Sequence, residues 1–151
     1  MDKKTAQPWH ADPRFGPYKF YSVENGREEM AAKGHSLVNE IEARMILVLY
    51  NRLVQQFPSV NFDYRVGIVC MYRAQAQELR NMFKRSHGPQ VLKTVDFNTV
   101  DGFQGQEKDI IILSCVRAGP SLSTVGFLSG THDIFHSRNL INGSTRKTFD
   151  A

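Results

Sequence analysis

The chain has 151 residues, 41% hydrophobic and 23% charged, which is one domain's worth of material with enough apolar content for one core. Ten Phe, five Tyr and one Trp exclude a disordered chain, and the longest apolar run, Met45–Tyr50, is far short of the ~20 residues a membrane-spanning helix needs. Nineteen Lys and Arg against fifteen Asp and Glu give a formal charge of +4, and the excess is local: residues 64–93 hold Arg65, Arg73, Arg80, Lys84, Arg85 and Lys93 against Glu78 alone.

Met1–Pro8 has no apolar stretch of the kind a secretory signal carries. Residues 1–17 contain Pro8, Pro13, Gly16 and Pro17 and are expected to be irregular. Tyr18–Val23 alternates aromatic and polar residues, the pattern of a short strand. Asn25-Gly26 turns the chain, and residues 27–34 read as a polar loop. Ser36 is placed to cap a helix beginning at Leu37. Leu37, Ile41, Met45, Leu49 and Leu53 recur every four residues, so this helix is expected to lie buried on a sheet until Pro58 stops it.

Val66–Met71 is a continuous apolar run rich in β-branched residues, as in strands covered on both faces. A helix over 74–86 follows, with Ala76, Leu79, Met82 and Phe83 inward and Gly88-Pro89 at its end. Val95–Thr99 is the next strand. The loop Asp101–Gln106 leads to Asp109–Val116, which reads as the most deeply buried strand of all. This order of strands and helices predicts an α/β fold with a mostly parallel sheet. Cys70 and Cys115 sit in apolar runs and read as buried, reduced thiols of an intracellular protein. Residues 129–151 show no period of strand or helix and are expected to pack poorly.

Ligands of open parallel sheets bind beyond the carboxyl ends of the strands, and two such ends are unusual here. In Met71–Gln75, Tyr72 can stack on a flat ring, Arg73 can reach an anion, and Gln75 offers a donor and an acceptor. The alternative is Tyr72 packed at the sheet edge with Arg73 and Gln75 in water. In Asn98–Asp109, Gly102 and Gly105 allow close approach of the backbone, and Asp101, Gln104, Gln106 and Glu107 crowd into one turn. The alternative is a capped turn with a Glu107–Lys108 surface pair.

Three weaker patterns stand beside these. Arg73, Arg80 and Lys84 share one arc of the second helix, which fits a phosphate-tracking stripe or, more simply, a solvated outer face. His132 and His136 have zinc-helix spacing with Asp133 where that chemistry places Glu and no third ligand, so no metal site is assigned. Trp9, Tyr18, Phe20 and Tyr21 form either a platform for bases or ordinary packing.

Thr99–Arg117 resembles motif V and its following strand in superfamily 1 helicases of the nonsense-decay type. Val66–Gln75 resembles motif IV of the same family, and Pro8-Trp9-His10 with Gly16–Tyr21 resembles its senataxin branch, which acts on RNA and on RNA–DNA hybrids. The likeness runs through residues 7–128. It implies the second RecA-like domain of a two-domain motor, a three-layer parallel sheet of the P-loop NTPase type, spanning 18–128 and incomplete. In that family ATP lies in the cleft between two such domains and the nucleic acid crosses both. The resemblance puts Gly105 and Glu107, with Gln104 and Gln106 beside them, at the nucleotide's ribose and phosphates. It puts Asn98, Thr99 and Asp101 where the family approaches the nucleic-acid backbone or couples the two sites, with Gln104 able to serve either side, and it groups Tyr72, Arg73 and Gln75, which match motif IV, with the nucleic-acid-binding residues. No catalytic residue is carried over.

The departures limit what the chain does by itself. A phosphate-binding loop needs G-x-x-x-x-G-K followed by Ser or Thr, and no two glycines here have that separation. No Asp-Glu pair is present to hold Mg²⁺. After Val125–Leu128 the family continues into the Arg-rich motif VI; here the chain reads Ser129–His136, and neither Arg138 nor Arg146 is in register. The missing helix is expected to leave apolar surface exposed, and 129–151 reads as an aberrant end from a truncated or misread gene.

The chain is thus read as a piece of an ATP-dependent RNA or DNA helicase, a 5′-to-3′ translocase. It would supply one wall of the ATP cleft and part of the nucleic-acid track, and be inactive alone. ATP and Mg²⁺ are implied only with a first motor domain. The implied partners are single-stranded RNA or DNA, RNA–DNA hybrid, and a RecA-like first domain in trans, without membrane; the expected location is intracellular, the nucleus ahead of the cytoplasm. The alternative is a non-catalytic nucleic-acid- or protein-binding module descended from a helicase. Sequencing the transcript checks the reading of the tail, which an endogenous message encoding it in frame would contradict.

Overall fold

The computed structural model describes residues 6–32 and 34–117. The expectations for 129–151 and for His132 and His136 lie outside the described residues. The chain divides into two units, one reaching Glu24 and one beginning at Asn25, taken here in turn.

In the first unit Pro8–Ala11 forms a single 3-10 turn that buries Trp9. Asp12 follows, and its carboxylate accepts from the Arg14 backbone N–H at 2.8 Å and from the Arg14 guanidinium at 2.7 and 3.0 Å. The strand expected over Tyr18–Val23 does not form. Tyr18 and Phe20 meet edge to face at 5.3 Å but are 81% and 67% exposed. Alternation places them on one side, yet no neighbouring strand among the described residues offers a ladder. Buried Trp9 cannot serve as a stacking platform for bases.

In the second unit a two-residue antiparallel hairpin, β1 (Glu29–Met30) and β2 (Leu37–Val38), precedes α1 (Glu40–Gln56). Then come β3 (Val66–Cys70), α2 (Arg73–His87), the one-turn α3 (Val91–Thr94), β4 (Val95–Thr99) and β5 (Ile110–Ser114). The sheet runs β4-β3-β5 with both pairings parallel, Val66 opposite Val95 and Ile110, and Cys70 opposite Thr99 and Ser114. The α/β class and the parallel sheet are therefore as expected.

Register fixes the faces. Val66, Ile68, Cys70, Phe97, Ile112 and Ser114 point one way, while Gly67, Val69, Asp96, Asn98, Ile111 and Leu113 point the other. The first face carries the helices: the Phe83 ring lies 4.9 Å from Phe97, and Tyr50 lies 5.1 Å from Phe83. All five residues of β3 are buried, as its sequence predicts. On α2 the expected Ala76, Leu79, Met82 and Phe83 are buried together with Gln75, and Gly88 ends the helix at φ 79°.

Three readings are corrected. Leu37 and Val38 pair with β1, so α1 starts at Glu40 with Asn39 as its cap, its Oδ1 accepting from Glu42 N–H at 3.1 Å. Ser36 caps a different helix: its hydroxyl accepts from Ala74 N–H of α2 at 3.1 Å. The buried stripe of α1 is Ala43, Ile46, Tyr50 and Leu53, with Ile41 outward. A strict four-residue repeat drifts by about 40° per step around a 3.6-residue helix, so it cannot stay on one face. Finally, β5 is not deeply buried. Ile111 and Leu113 are 54% and 53% exposed, because β5 is the edge of the described sheet and the described helices cover the opposite face.

The far face of β3 is covered by the return loop. Gly67 leaves room for the Phe103 ring: a Cβ there would lie 2.6 Å from Phe103 Cζ and 3.1 Å from Lys108 Cγ. Both cysteines are free, Cys70 buried and Cys115 half-buried. Burial first, and then the nearby Glu42 carboxylate, push the Cys70 thiol up from 9.0 to about 12, and Cys115 rises for the same reasons.

Two outcomes follow. Gly67→Ala lowers stability by about 1–3 kcal/mol through overpacking against a fixed ring; an unchanged urea midpoint contradicts the packing. The unfolded Cys70 thiol ionises near 9 and the folded one near 12, so its contribution to stability is complete below 9 and is lost as pH rises toward 12. Disulfide-reagent labelling of Cys70 at pH 8 is expected to be slow until denaturant is added.

Candidate functional site

The carboxyl ends of β3, β4 and β5 lie along one edge of the sheet because all three strands are parallel and in register. From the end of β4 the chain makes a chain of turns. Val100 N–H donates to Cys70 O at 3.2 Å, and Asp101–Phe103 forms a 3-10 turn whose Phe103 is buried on Gly67. Asn98 braces this turn: its Nδ2 donates to Gly102 O at 2.8 Å while its Oδ1 accepts from Thr99 N–H at 3.0 Å. A Cβ at position 102 would fall 2.2 Å from that Oδ1, so any other residue there would push the Asn98 amide off this brace. Gly105 is required by conformation, with φ 77° and open surroundings.

Lys108 closes the loop. Its ammonium donates to Tyr64 O at 2.9 Å and pairs with Asp96, while Arg65 pairs with Asp109 at 2.5 Å. The Glu107–Lys108 pair of a plain capped turn does not form. Between the anchors Phe103 and Lys108, the four residues Gln104, Gly105, Gln106 and Glu107 are exposed, with Gln106 Nε2 reaching Gly102 O at 3.4 Å. Asp101 is exposed, and Asn98 and Thr99 are half-buried beside it. Across the strand pairing, Tyr72 is half-buried and Arg73 exposed just beyond the end of β3. One edge thus brings together nine of the ten residues singled out in the sequence.

The tenth, Gln75, is not a surface residue. It is 0% exposed and its amide is occupied. Oε1 accepts from Asn39 N–H at 2.9 Å, and Nε2 donates to Asn39 O and Ser114 Oγ, each at 3.1 Å. Ser114 Oγ in turn donates to Glu42 Oε1 at 2.8 Å, Glu42 Oε2 accepts from Val116 N–H at 2.9 Å, and Asn39 Nδ2 donates to Val116 O at 3.1 Å. Gln75 therefore ties the start of α2 to the start of α1 and the end of β5. From sequence Gln75 reads as solvated or on nucleic acid, and Asn39, Glu42 and Ser114 do not stand out. The signal for the first two was present, since Asn39-x-x-Glu42 is a capping pattern. The carboxylate does not close that box, however, because Gln75 already holds the Asn39 N–H.

The basic stripe on α2 is also corrected. Arg80 is half-buried, crosses to β4 and donates to Phe97 O, so it does not share the open outer face of Arg73 and Lys84, which are exposed. Among the described residues no cluster of His, Cys, Asp and Glu has the makings of a metal site, and no helix is long and apolar enough to cross a membrane.

Gln75→Ala strands the Asn39 N–H and one Ser114 contact in a buried site. It is expected to lower stability by about 2 kcal/mol, measured as a shift in the urea midpoint; an unchanged midpoint contradicts the role given to the network.

Comparison with known proteins agrees with this geometry. The AAA domain family matches residues 1–134. Helicase SEN1 of Saccharomyces cerevisiae is 44% identical over 129 residues, 85% of this chain and 6% of that protein. Probable helicase MAGATAMA 3 of Arabidopsis thaliana is 38% identical over 148 residues, 97% of this chain and 17% of that protein. Probable helicase senataxin of Mus musculus is 30% identical over 115 residues, 76% and 4%. The chain thus spans less than a fifth of the length of each of these relatives. With the motif segments on a parallel sheet and these relatives covering most of it, the chain belongs to the AAA domain family, among superfamily 1 helicases of the senataxin type.

Proposed function

We propose that residues 18–128 serve as the second motor domain of an ATP-dependent RNA or DNA translocase, with 129–151 outside it. The domain supplies one wall of the nucleotide cleft and part of the strand track and does not hydrolyse ATP alone. The observation that carries this reading is the exposed run Gln104–Glu107, held on the carboxyl edge of a parallel sheet by Phe103 and Lys108. Its chemistry fits a nucleotide. Glu107 offers a carboxylate to ribose hydroxyls, Gln104 and Gln106 offer amides, and Gly105 leaves the backbone uncovered.

Asn98, Thr99 and Asp101 lie at the adjoining strand end, with Tyr72 and Arg73 one strand over. This grouping suits a sugar-phosphate backbone, which is read by charge and polar contacts and not by base edges. Gln75 takes part as a positioning residue through its hold on the start of α2. ATP, when bound, supplies the anhydride whose cleavage drives movement. The phosphate-wrapping loop and the Mg²⁺ ligands belong to a first motor domain, either in the same polypeptide or in trans. The substrates are single-stranded RNA or DNA and RNA–DNA hybrid, in the nucleus or cytoplasm.

The chain alone is expected to bind a single-stranded oligonucleotide weakly, with affinity falling steeply as salt rises. Arg73→Ala reduces the slope of log affinity against log salt by about 1. Nucleic-acid-stimulated ATP hydrolysis by the purified chain, or a salt slope unchanged by Arg73→Ala, contradicts the reading.

A further inference from the structure

Arg117 has no role in the site described above, yet the chain is bent sharply to place it. Cys70 pairs with Ser114 across β3 and β5. Arg73 and Arg117 each stand three positions past that pair (70 to 73 and 114 to 117), so both residues come just after the carboxyl ends of adjacent strands. The residue between Ser114 and Arg117 that makes the bend is Val116, at φ 70°, a left-handed conformation that a β-branched side chain rarely adopts. Arg117 N–H closes the turn on Cys115 O at 2.8 Å.

Such backbone persists where its surroundings over-determine it, and here they do. Val116 is fully buried, its N–H is held by Glu42 and its carbonyl by Asn39, both from the start of α1. A surface ion pair alone would not call for that arrangement. The bend sends Arg117 toward the hairpin, where its Nη1 meets Glu28 Oε1 at 3.3 Å with both side chains about one-third exposed. That contact is looser than the roughly 2.8 Å of a charge-assisted hydrogen bond. A guanidinium has five N–H donors in a rigid fork, and this is a single loose contact to one of them.

We propose that Arg117 is an anion-binding residue for a phosphate oxygen on this edge, and that Glu28 is the built-in carboxylate that competes for it. Glu42 and Asn39 are positioning residues, acting through the backbone of Val116. The phosphate comes from a nucleotide or from the backbone of a nucleic-acid strand; in naming those two sources the inference rests on the function proposed above. Binding exchanges one carboxylate contact for a phosphate contact and leaves the strained turn in place.

The test uses the full chain with inorganic tripolyphosphate, ATP and a single-stranded oligonucleotide as separate probes, titrated by calorimetry. Glu28→Gln is expected to tighten binding of the responsive probe by about 2- to 5-fold, the value of an exposed ion pair. Arg117→Ala is expected to weaken it about tenfold, with Arg117→Lys in between because it keeps charge but not the fork. The Glu28→Gln, Arg117→Ala double variant is expected to match Arg117→Ala. Which probe responds identifies the source of the phosphate. Equal affinities for wild type, Glu28→Gln and Arg117→Lys, each with an unchanged melting curve, overturn the inference and leave the proposed function standing. A response to tripolyphosphate alone supports the inference and contradicts the proposed function. Failure of every variant to bind any probe overturns both.

Discussion

The contact between Gly67 and the Phe103 ring is the constraint on which the site depends. Gly67 sits in the middle of the central strand, on the face that the described helices do not cover. Removing its side chain opens a slot for an aromatic ring in a position where any Cβ would collide. Filling the slot does two things. It buries apolar surface on the far side of the sheet, and it pins a polar loop to the edge where the strands end. Without the ring, the turn would still be tied down near its ends by Asn98, Thr99, Val100, Lys108 and Asp109, but not through its middle.

A second constraint works on the opposite face. The starts of α1 and α2 and the end of β5 meet in a buried polar cluster, and among the described residues no buried side-chain polar atom lacks a partner. Polar groups that are buried and satisfied define one arrangement sharply, because any shift strands a donor or acceptor. The cluster therefore fixes how far α2, carrying Tyr72 and Arg73 at its start, stands from the end of β5, carrying Arg117. The helix starts beside the edge are held by buried and part-buried hydrogen bonds, while Arg73 and Asp101 are exposed along with Gln104–Glu107.

How much of this was legible in the sequence depended on the kind of signal. β3 and β4 were found because a short β-branched run between turn residues has few alternatives, and α2 because its apolar residues recur at 3.6 and Gly88 closes it. α1 was shifted because two capping residues, Ser36 and Asn39, stand three positions apart, and the choice between them is made by the partner at Ala74, distant in sequence. β5 reads as deeply buried from sequence because an apolar run does not say which strand ends at an edge. The loop was recognised from its glycines and polar crowding. Gln75 and Arg80 escape the sequence for one reason: a long polar side chain on a helix can turn outward or fold back onto neighbouring polar groups, and only the packed neighbours decide.

The central claim is that Gln104–Glu107 and the adjoining strand ends form a ligand-contacting edge. Amide hydrogen exchange along the chain, with and without a saturating single-stranded oligonucleotide or nucleotide, tests it most directly. The account predicts slowed exchange in residues 71–73 and 98–109, with Arg117 the one further position that can respond. Exchange that is unchanged there, or slowed instead on the outward faces of α1 and α2, would contradict it.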